Sequence, residues 1–491
     1  MGFQFGVRLE FEAARADDIL RSIPALPGVF ALRGDDPRAE PYLMRGADLR
    51  RRMTRLLNPP EEQSKRLNLR ERVQTIEYTV TGSEFESLLL LYDASAAIFG
   101  VEAARRRLRL HTPFFLRLTS DHPHPRVYST NRLSKRGLAQ TYGPFPSRAA
   151  AERYCDAVLD LFRLRRCYED LEVSPSHPGC AYGEMKKCMA PCNVTCTSDE
   201  YAAEARAVEA FFTTHGESML ASISAERERA SAEMEFEKAA ALHEQFQRVK
   251  SAAALADELV RPVPLLRAVV VQAAARSESN PDAQQAAIFL LEGGCVAGPA
   301  ALSTLGVRAV KEQTSVGSSL FAQPLMLQAI PLAEASAVTM TSADSPEVRA
   351  EQVLAGLAAR LKVTRDLATM SDHLSLLRRW YYRPEKQRSG EVFLPNPDGS
   401  WPVRRILRGA ARMTLGEPRV MAETLRDQAP AAKMKILHEG RPDVERAVAV
   451  VARPAGRRKA KAAVPATATA DSSATLRNDN REEDATPKIS D

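Results

Sequence analysis

Four of the seven cysteines, Cys167, Cys180, Cys188 and Cys192, fall within 26 residues at the spacing C-x12-C-x7-C-x3-C. Four thiolates around one centre suit zinc or an iron–sulfur cluster. Structural zinc modules use two close cysteine pairs, and here only Cys188 and Cys192 form one. Gly179 and Pro191 mark the stretch as loop, which suits cluster ligands. The residues by themselves leave zinc, iron–sulfur and unliganded thiols open. The start of the sequence is acidic and lacks an apolar leader core. A cytoplasmic location with reduced thiols is therefore expected, and a disulfide framework is not.

Arginine supplies a second chemistry. The net charge is +6, and three basic runs lie in the first third of the chain: "LRRRMTRL" (49–56), "ARRRLRL" (104–110) and "FRLRRC" (162–167). Guanidinium forks match phosphate geometry, so these runs point to nucleic acid. Arg50, Arg51, Arg105, Arg106 and Arg107 are the candidate DNA contacts. The alternative for each run is a solvated helix face. No apolar run approaches the ~20 residues of a membrane helix, so no membrane partner is expected.

The elements that must position these groups read as an α+β multidomain chain. Residues 22–110 look α/β. "PGVFALRG", "EPYLM" and "RVQTIEYTVTG" read as strands and "GADLRRRMTRLLN" as a helix. "SEFESLLLLYDASAAIF" is a second helix, with Ser83 as N-cap and Glu86 completing a capping box. "FFLRLTS" and "PRVYSTN" are further strands, followed by an expected turn in "YGPFPS". Residues 199–260 are helical, and Gly216 should divide them into two antiparallel helices. Leu242, Phe246, Val249 and Ala253 build one apolar face, and Phe236, Ala240 and His243 build a second that awaits a partner or the rest of the chain. A β-rich stretch follows from 262 to 335, with "LRAVVVQ" and a hairpin about Gly293 and Gly294 that makes Cys295 a core residue. Helix returns over 346–384. There Trp380, Tyr381 and Tyr382 beside arginines either stack on bases or pack between domains. From Arg453 the chain reads as a disordered tail with a basic start. The expected units are 1–110, 111–198, 199–260, 262–335, 346–450 and 451–491.

"CAYGEMKKCMAPC", then "SDEYAAEA", then "ASAEMEFEKAAALHEQF" resembles the N-terminal half of UvrC, the incision subunit of bacterial nucleotide excision repair. The match in order runs from about residue 22 to 260. "LPGVF" and "PYLMRGADLRRRM" sit where that family has its GIY-YIG nuclease signature, and "TYGPF" where it has a Tyr-Phe-Gly-Pro-Tyr turn. "EMEFEKAAALHEQ" sits at the helical hairpin through which the family binds UvrB. The resemblance thus implies partner contacts from Phe236, Glu237, Ala240 and His243, where His243 and Glu244 replace the usual Arg-Asp. It also implies an iron–sulfur cluster on the four cysteines, with zinc as the alternative.

The same resemblance makes Tyr42, Arg45 and Arg52 the catalytic remnant. A GIY-YIG nuclease needs a metal held by one glutamate, a tyrosine to help activate water and cations to neutralise the phosphate. Here Arg45 stands at the lysine position, Phe30 replaces a tyrosine, Met44 replaces a glycine, and Leu91 stands where the metal-binding acid belongs. Asp93, two residues on, should point away from the site. The family's second half, an RNase H-like nuclease and a helix-hairpin-helix module, has no counterpart after residue 260. The expectation is a protein that binds DNA and a UvrB-like partner with incision lost or weakened. The alternative is a divergent endonuclease that recruits Glu84 or Glu86 to Mg²⁺ or Mn²⁺; a third reading is a scaffold without a DNA role.

Overall fold

The computed structural model describes residues 3–36, 38–59, 67–168, 171–276, 284–307, 345–361, 366–384 and 387–415, with the backbone of two short strands beyond. The chain divides into two units, Met1–Pro418 and Arg419–Asp491.

The first sheet is antiparallel, in the order β1-β4-β2-β3. Its strands are β1 (Val7–Glu10), β2 (Gly28–Arg33), β3 (Tyr42–Gly46) and β4 (Thr75–Val80), with α1 (Ala16–Ser22) after β1. Strand β2 is buried along most of its length because each face has a helical cover. On one side α2 (Leu49–Leu57) packs Leu49, Met53 and Leu57 against Phe30 and Leu32. Asp48 caps α2, accepting from the Arg51 N–H at 2.8 Å. On the other side α3 (Glu84–Phe99) packs Leu90, Leu91 and Ala94 against Val29, Ala31 and Leu43. Ser83 caps α3 as expected, accepting from the Glu86 N–H. The reciprocal half of the box is different, since the Glu86 carboxyl takes the Gly82 N–H at 2.8 Å.

A helix with apolar residues on two faces needs a core against each. Accordingly Phe85, Leu88, Leu89 and Tyr92 of α3 face a second core, formed by the C-terminal part of the same unit. Helix α4 (Val101–Arg107) follows and leads into the middle sheet, ordered β6-β5-β7-β8. Its strands are β5 (Phe114–Leu118), β6 (Val127–Thr130), β7 (Thr141–Phe145) and β8 (Arg261–Pro262). The expected "YGPF" turn is β7, a strand buried throughout. Loop-like composition is overridden here because α5 (Arg148–Leu159) and the helices beyond cover the sheet. After the four-residue α6 (Ala181–Glu184) come α7 (Ser198–Thr214), α8 (Glu217–Ala232) and α9 (Phe236–Ala253). Gly216, at φ +82°, separates α7 from α8. A second break at 233–235, with Met234 at φ +60°, makes three helices where two were expected. The tight antiparallel pair is therefore α8–α9. Leu242, Phe246, Val249 and Ala253 join the middle core with Tyr142, Tyr154 and Phe212.

The last sheet, β11-β10-β9-β12, comprises β9 (Arg267–Ala273), β10 (Gln285–Glu292), β11 (Cys295–Ser303) and β12 (Glu391–Phe393). Helices α10 (Pro346–Leu361), α11 (Leu367–Tyr381) and α12 (Val403–Leu415) share its core. Because β12 pairs with β9, Phe393 opposite Val269, the described residues of the β-rich stretch and of the helical stretch up to 415 share one core. Cys295 is in its core. Trp380 is buried 4.9 Å from the Phe85 ring, and the hydroxyls of Tyr381 and Tyr382 donate to Asp257 and to the Pro144 carbonyl. That is packing between elements, not a base-stacking surface. Buried Asp372 on α11 accepts from Tyr92 at 2.9 Å and from Arg105 at 2.8 Å, tying α3 and α4 to the C-terminal core. In the second unit, β13 (Lys433–Ile436) and β14 (Arg446–Ala449) form an antiparallel pair. The tail from 451 lies outside the described residues. Among the described residues no helix is long and apolar enough to cross a membrane.

Candidate functional site

Strands β2 and β3 bring the two nuclease-signature stretches side by side, with Leu32 opposite Tyr42, Phe30 opposite Met44 and Val29 opposite Arg45. Side chains alternate along a strand. Tyr42 therefore lies on the α2 side, its ring 6.3 Å from that of Phe30 and packed on the same core. Arg52 on α2 lies against the far end of β3: a Cβ built on Gly46 would stand 3.6 Å from Arg52 Cβ. Arg45 falls on the other face, toward α3. The three remnant residues are thus divided between two faces of one sheet. The Nε of Arg52 is buried and has no hydrogen-bond partner among the described residues.

Arg45 meets Glu84 at 3.0 Å, at the first residue of α3. Arg383, just beyond α11, grips the same carboxylate with both terminal nitrogens. The Arg383 hydrogen bonds, and then those of Arg45, hold the Glu84 carboxyl down to about 2, against the opposing effect of burial. Two guanidiniums already satisfy this acid. Leu91, in the metal-ligand position, packs with Val29, Ala31 and Leu43. An apolar group there offers no oxygen to a hard cation. Glu86 is buried, and burial pushes its carboxyl up to about 7, partly offset by the Gly82 N–H. Asp93 is solvent-exposed by area, yet the packed atoms around it push its carboxyl up to about 6, with the charge of Arg360 on α10 opposing. Among the described residues no hydrogen bond or ion pair joins a carboxylate to Tyr42 or Arg52, and no set of three His, Cys, Asp or Glu side chains is placed to hold a metal ion.

The arginine runs serve unequal ends. Arg51 and Arg106 are exposed. Arg50 is exposed too, although its Nε donates to the Ile23 carbonyl at 2.6 Å. Arg105 holds Asp372, and Arg107 lies 3.8 Å over the Phe99 ring with Glu40 at 2.7 Å. Arg105 is thus engaged inside the fold, while Arg107 is held at the surface.

The cysteine stretch folds over the start of α7 as a loop with left-handed residues at Lys186, Ala190 and Val194. Cys188 and Cys192 are buried, and Cys167 and Cys180 are half-buried. Burial pushes the Cys188 thiol up to about 11, and the other three sulfurs push the same way. N–H groups already point at sulfur: Ala190 donates to Cys188 at 3.3 Å and Arg165 to Cys167 at 3.7 Å. The donor chemistry suits a thiolate centre, but the sulfurs as they lie do not close on one ion. A cavity of about 660 Å³ opens beside them, lined by Cys180, Cys188 and Cys196 with Arg163 and Lys186. Cys196 was missed in the sequence reading, although it extends the Cys188-x3-Cys192 step once more.

At the turn of the α8–α9 pair, Met234 and Phe236 are 75% and 70% exposed. Glu237, Ala240 and His243 are exposed along the same helix, away from the core-facing Leu242, Phe246 and Val249.

Residues 114–211 match the model of the UvrC/Cho excinuclease middle domain. The UvrABC system protein C of Idiomarina loihiensis is 26% identical over 235 residues, 47% of this chain and 37% of that protein. Its counterpart in Aliivibrio salmonicida is 29% identical over 47% of this chain and 37% of its own length. The one in Haloarcula marismortui is 30% identical over 47% of this chain and 39% of its own length. The chain thus spans under two-fifths of each of these relatives. No solved structure matches it.

Glu86 carries a prediction about pH. Its folded-state value, about 7, is above the ordinary 4.5. The folded protein therefore binds the proton more tightly than the unfolded chain. Stability is full below about 4.5 and falls as pH rises to about 7. Glu86→Gln should remove that slope. Denaturant titrations should find the variant more stable than the parent by roughly 2–3 kcal/mol at pH 8 and equal to it at pH 4.5; parallel curves would show that the carboxyl titrates normally.

Proposed function

We propose, from the similarity of residues 114–211 to the UvrC/Cho middle domain and of 47% of the chain to UvrABC system protein C relatives, that the protein is a UvrC-like nucleotide excision repair factor that binds DNA and a UvrB-like protein and has lost or greatly weakened incision. The observation that carries this reading is the packing of α3. Half-buried Leu91 packs against Val29, Ala31 and Leu43 at the position where the resemblance expects a metal-binding acid, while Glu84 is bound by Arg45 and Arg383. The recruitment of Glu84 or Glu86 by a divergent nuclease finds no support. The first is neutralised by two cations, and the second is buried and facing a backbone N–H. Without an ion to stabilise the phosphorane, Tyr42 and Arg52 retain at most phosphate contact.

Binding functions fare better on the same geometry. The exposed arginines of α2 and α4 offer phosphate contacts. The α8–α9 turn presents an apolar tip beside a polar helix face, the arrangement a helical partner needs. The four thiols Cys167, Cys180, Cys188 and Cys192 would hold an iron–sulfur cluster, with zinc as the alternative, once the loop closes around it. Bound there, the centre would cross-link a segment that has little apolar core of its own.

Three measurements test these parts. The purified protein, with a UvrB-like partner and Mg²⁺ or Mn²⁺, should leave damaged duplex DNA uncut; nicking that disappears in Tyr42→Phe or Arg52→Ala would overturn the loss of incision. Phe236→Ala should weaken partner binding about tenfold in calorimetry with unchanged thermal unfolding, and equal affinity would remove the tip from the interface. Anaerobic purification should yield a brown protein with broad visible absorbance that fades in Cys188→Ser; a colourless protein with stoichiometric zinc would decide for the alternative.

A further inference from the structure

Tyr168 is among the most exposed large side chains of the described residues, at 73%. It is held in place without being buried. The Arg126 guanidinium lies 5.0 Å from its ring centroid and 5.4 Å from that of Tyr128. Arg126 is itself fixed, because its Nη1 donates to the Cys167 carbonyl at 3.0 Å and its backbone N–H to Thr119 Oγ1 at 2.9 Å. The result is an ordered tyrosine–arginine–tyrosine group beside β6, at the edge of the middle sheet. Val127 faces the core, so Tyr128, opposite Arg117, faces outward.

The strand and loop around this group are rich in cations; Glu152 of α5 also reaches β6, accepting from Ser129 Oγ at 3.3 Å, and is paired with Arg148 at 2.7 Å. Between residues 114 and 140 five Lys or Arg residues stand against a single acid, Asp121. Asp121 is paired with Arg117 at 3.6 Å. Directly after β6, Arg132, Lys135 and Arg136 are all exposed. The acids Glu169 and Asp170, next to Tyr168 in sequence, lie outside the described residues. Aromatic rings with a free face, placed beside a run of cations, are the elements of a single-strand nucleic-acid surface. Bases stack on the rings and phosphates follow the cations.

We propose that the outer edge of the middle sheet is a single-stranded DNA contact, in which a base stacks on the open face of Tyr168, braced by Arg126 and Tyr128, while Arg132, Lys135 and Arg136 meet the phosphates. This rests on the DNA-binding reading above and locates it away from the arginine runs of α2 and α4. Duplex DNA opened around a lesion would supply such a strand.

The test uses the full chain and a fluorescent oligothymidine, with affinity followed by anisotropy across a salt series. Tyr168→Ala should weaken binding about tenfold and Tyr168→Phe should not. On an abasic strand of equal length Tyr168→Ala should cost nothing. Replacing Arg132, Lys135 and Arg136 together by Ala should lower the slope of affinity against salt by about 2. The positions are exposed, so unchanged thermal unfolding is expected for each variant. Wild-type affinity in both the Tyr168→Ala and the triple variant would overturn this surface and leave DNA binding itself standing. An equal loss on the abasic strand, or equal effects on intact duplex, would overturn the stacking role. A parent protein that binds no DNA at low salt would overturn the proposal together with the reading beneath it.

Discussion

The first and last sheets of the first unit share one helix with two apolar faces. Helix α3 reads "EFESLLLLYDASAAIF", and four consecutive leucines cannot face in one direction. Leu90 and Leu91 go into the core under the first sheet, while Leu88 and Leu89 go into the core of the last. Leu88 and Leu89 are buried, each worth about 2 kcal/mol, and Leu90 and Leu91 are half-buried against the first sheet. One helix thereby serves the cores of two sheets.

The charged groups around α3 complete this joint. Glu84 at its start is shared by Arg45 of the first sheet and Arg383 of the C-terminal part. Tyr92 near its middle reaches buried Asp372, which also takes Arg105. An isolated surface ion pair contributes about 1 kcal/mol or less. Asp372 is different because it is almost fully buried, and losing a partner there would strand a charge away from water. Arginines that look like a phosphate-binding run in the sequence are in this way partly engaged inside the protein. The exposed cations are distributed elsewhere, on α2 and along the edge of the middle sheet.

The middle region keeps its surfaces open. The α8–α9 pair buries one face in the core shared with β5–β7 and leaves Met234 and Phe236 in solvent. The cysteine loop lies over α7 with thiols at graded depth beside a cavity. This is also the stretch that matches the UvrC/Cho middle domain.

The amino-acid sequence alone determined the strands β2, β3, β4 and β9, the capped start of α3, the Gly293–Gly294 hairpin and the core-facing stripe of α9. Each depends on local periodicity, a turn or a cap, which neighbours in sequence specify. Tertiary structure decided what local signals cannot carry. The "YGPF" segment became a strand because helices cover it, Met234 broke a helix that composition would continue, and β12 joined a sheet begun more than a hundred residues earlier. It separated Tyr42 from Arg45 by strand alternation and gave Glu84 a partner 299 positions away. Pairings of that range are fixed by burial and charge across the assembled fold, and no window of sequence contains both members.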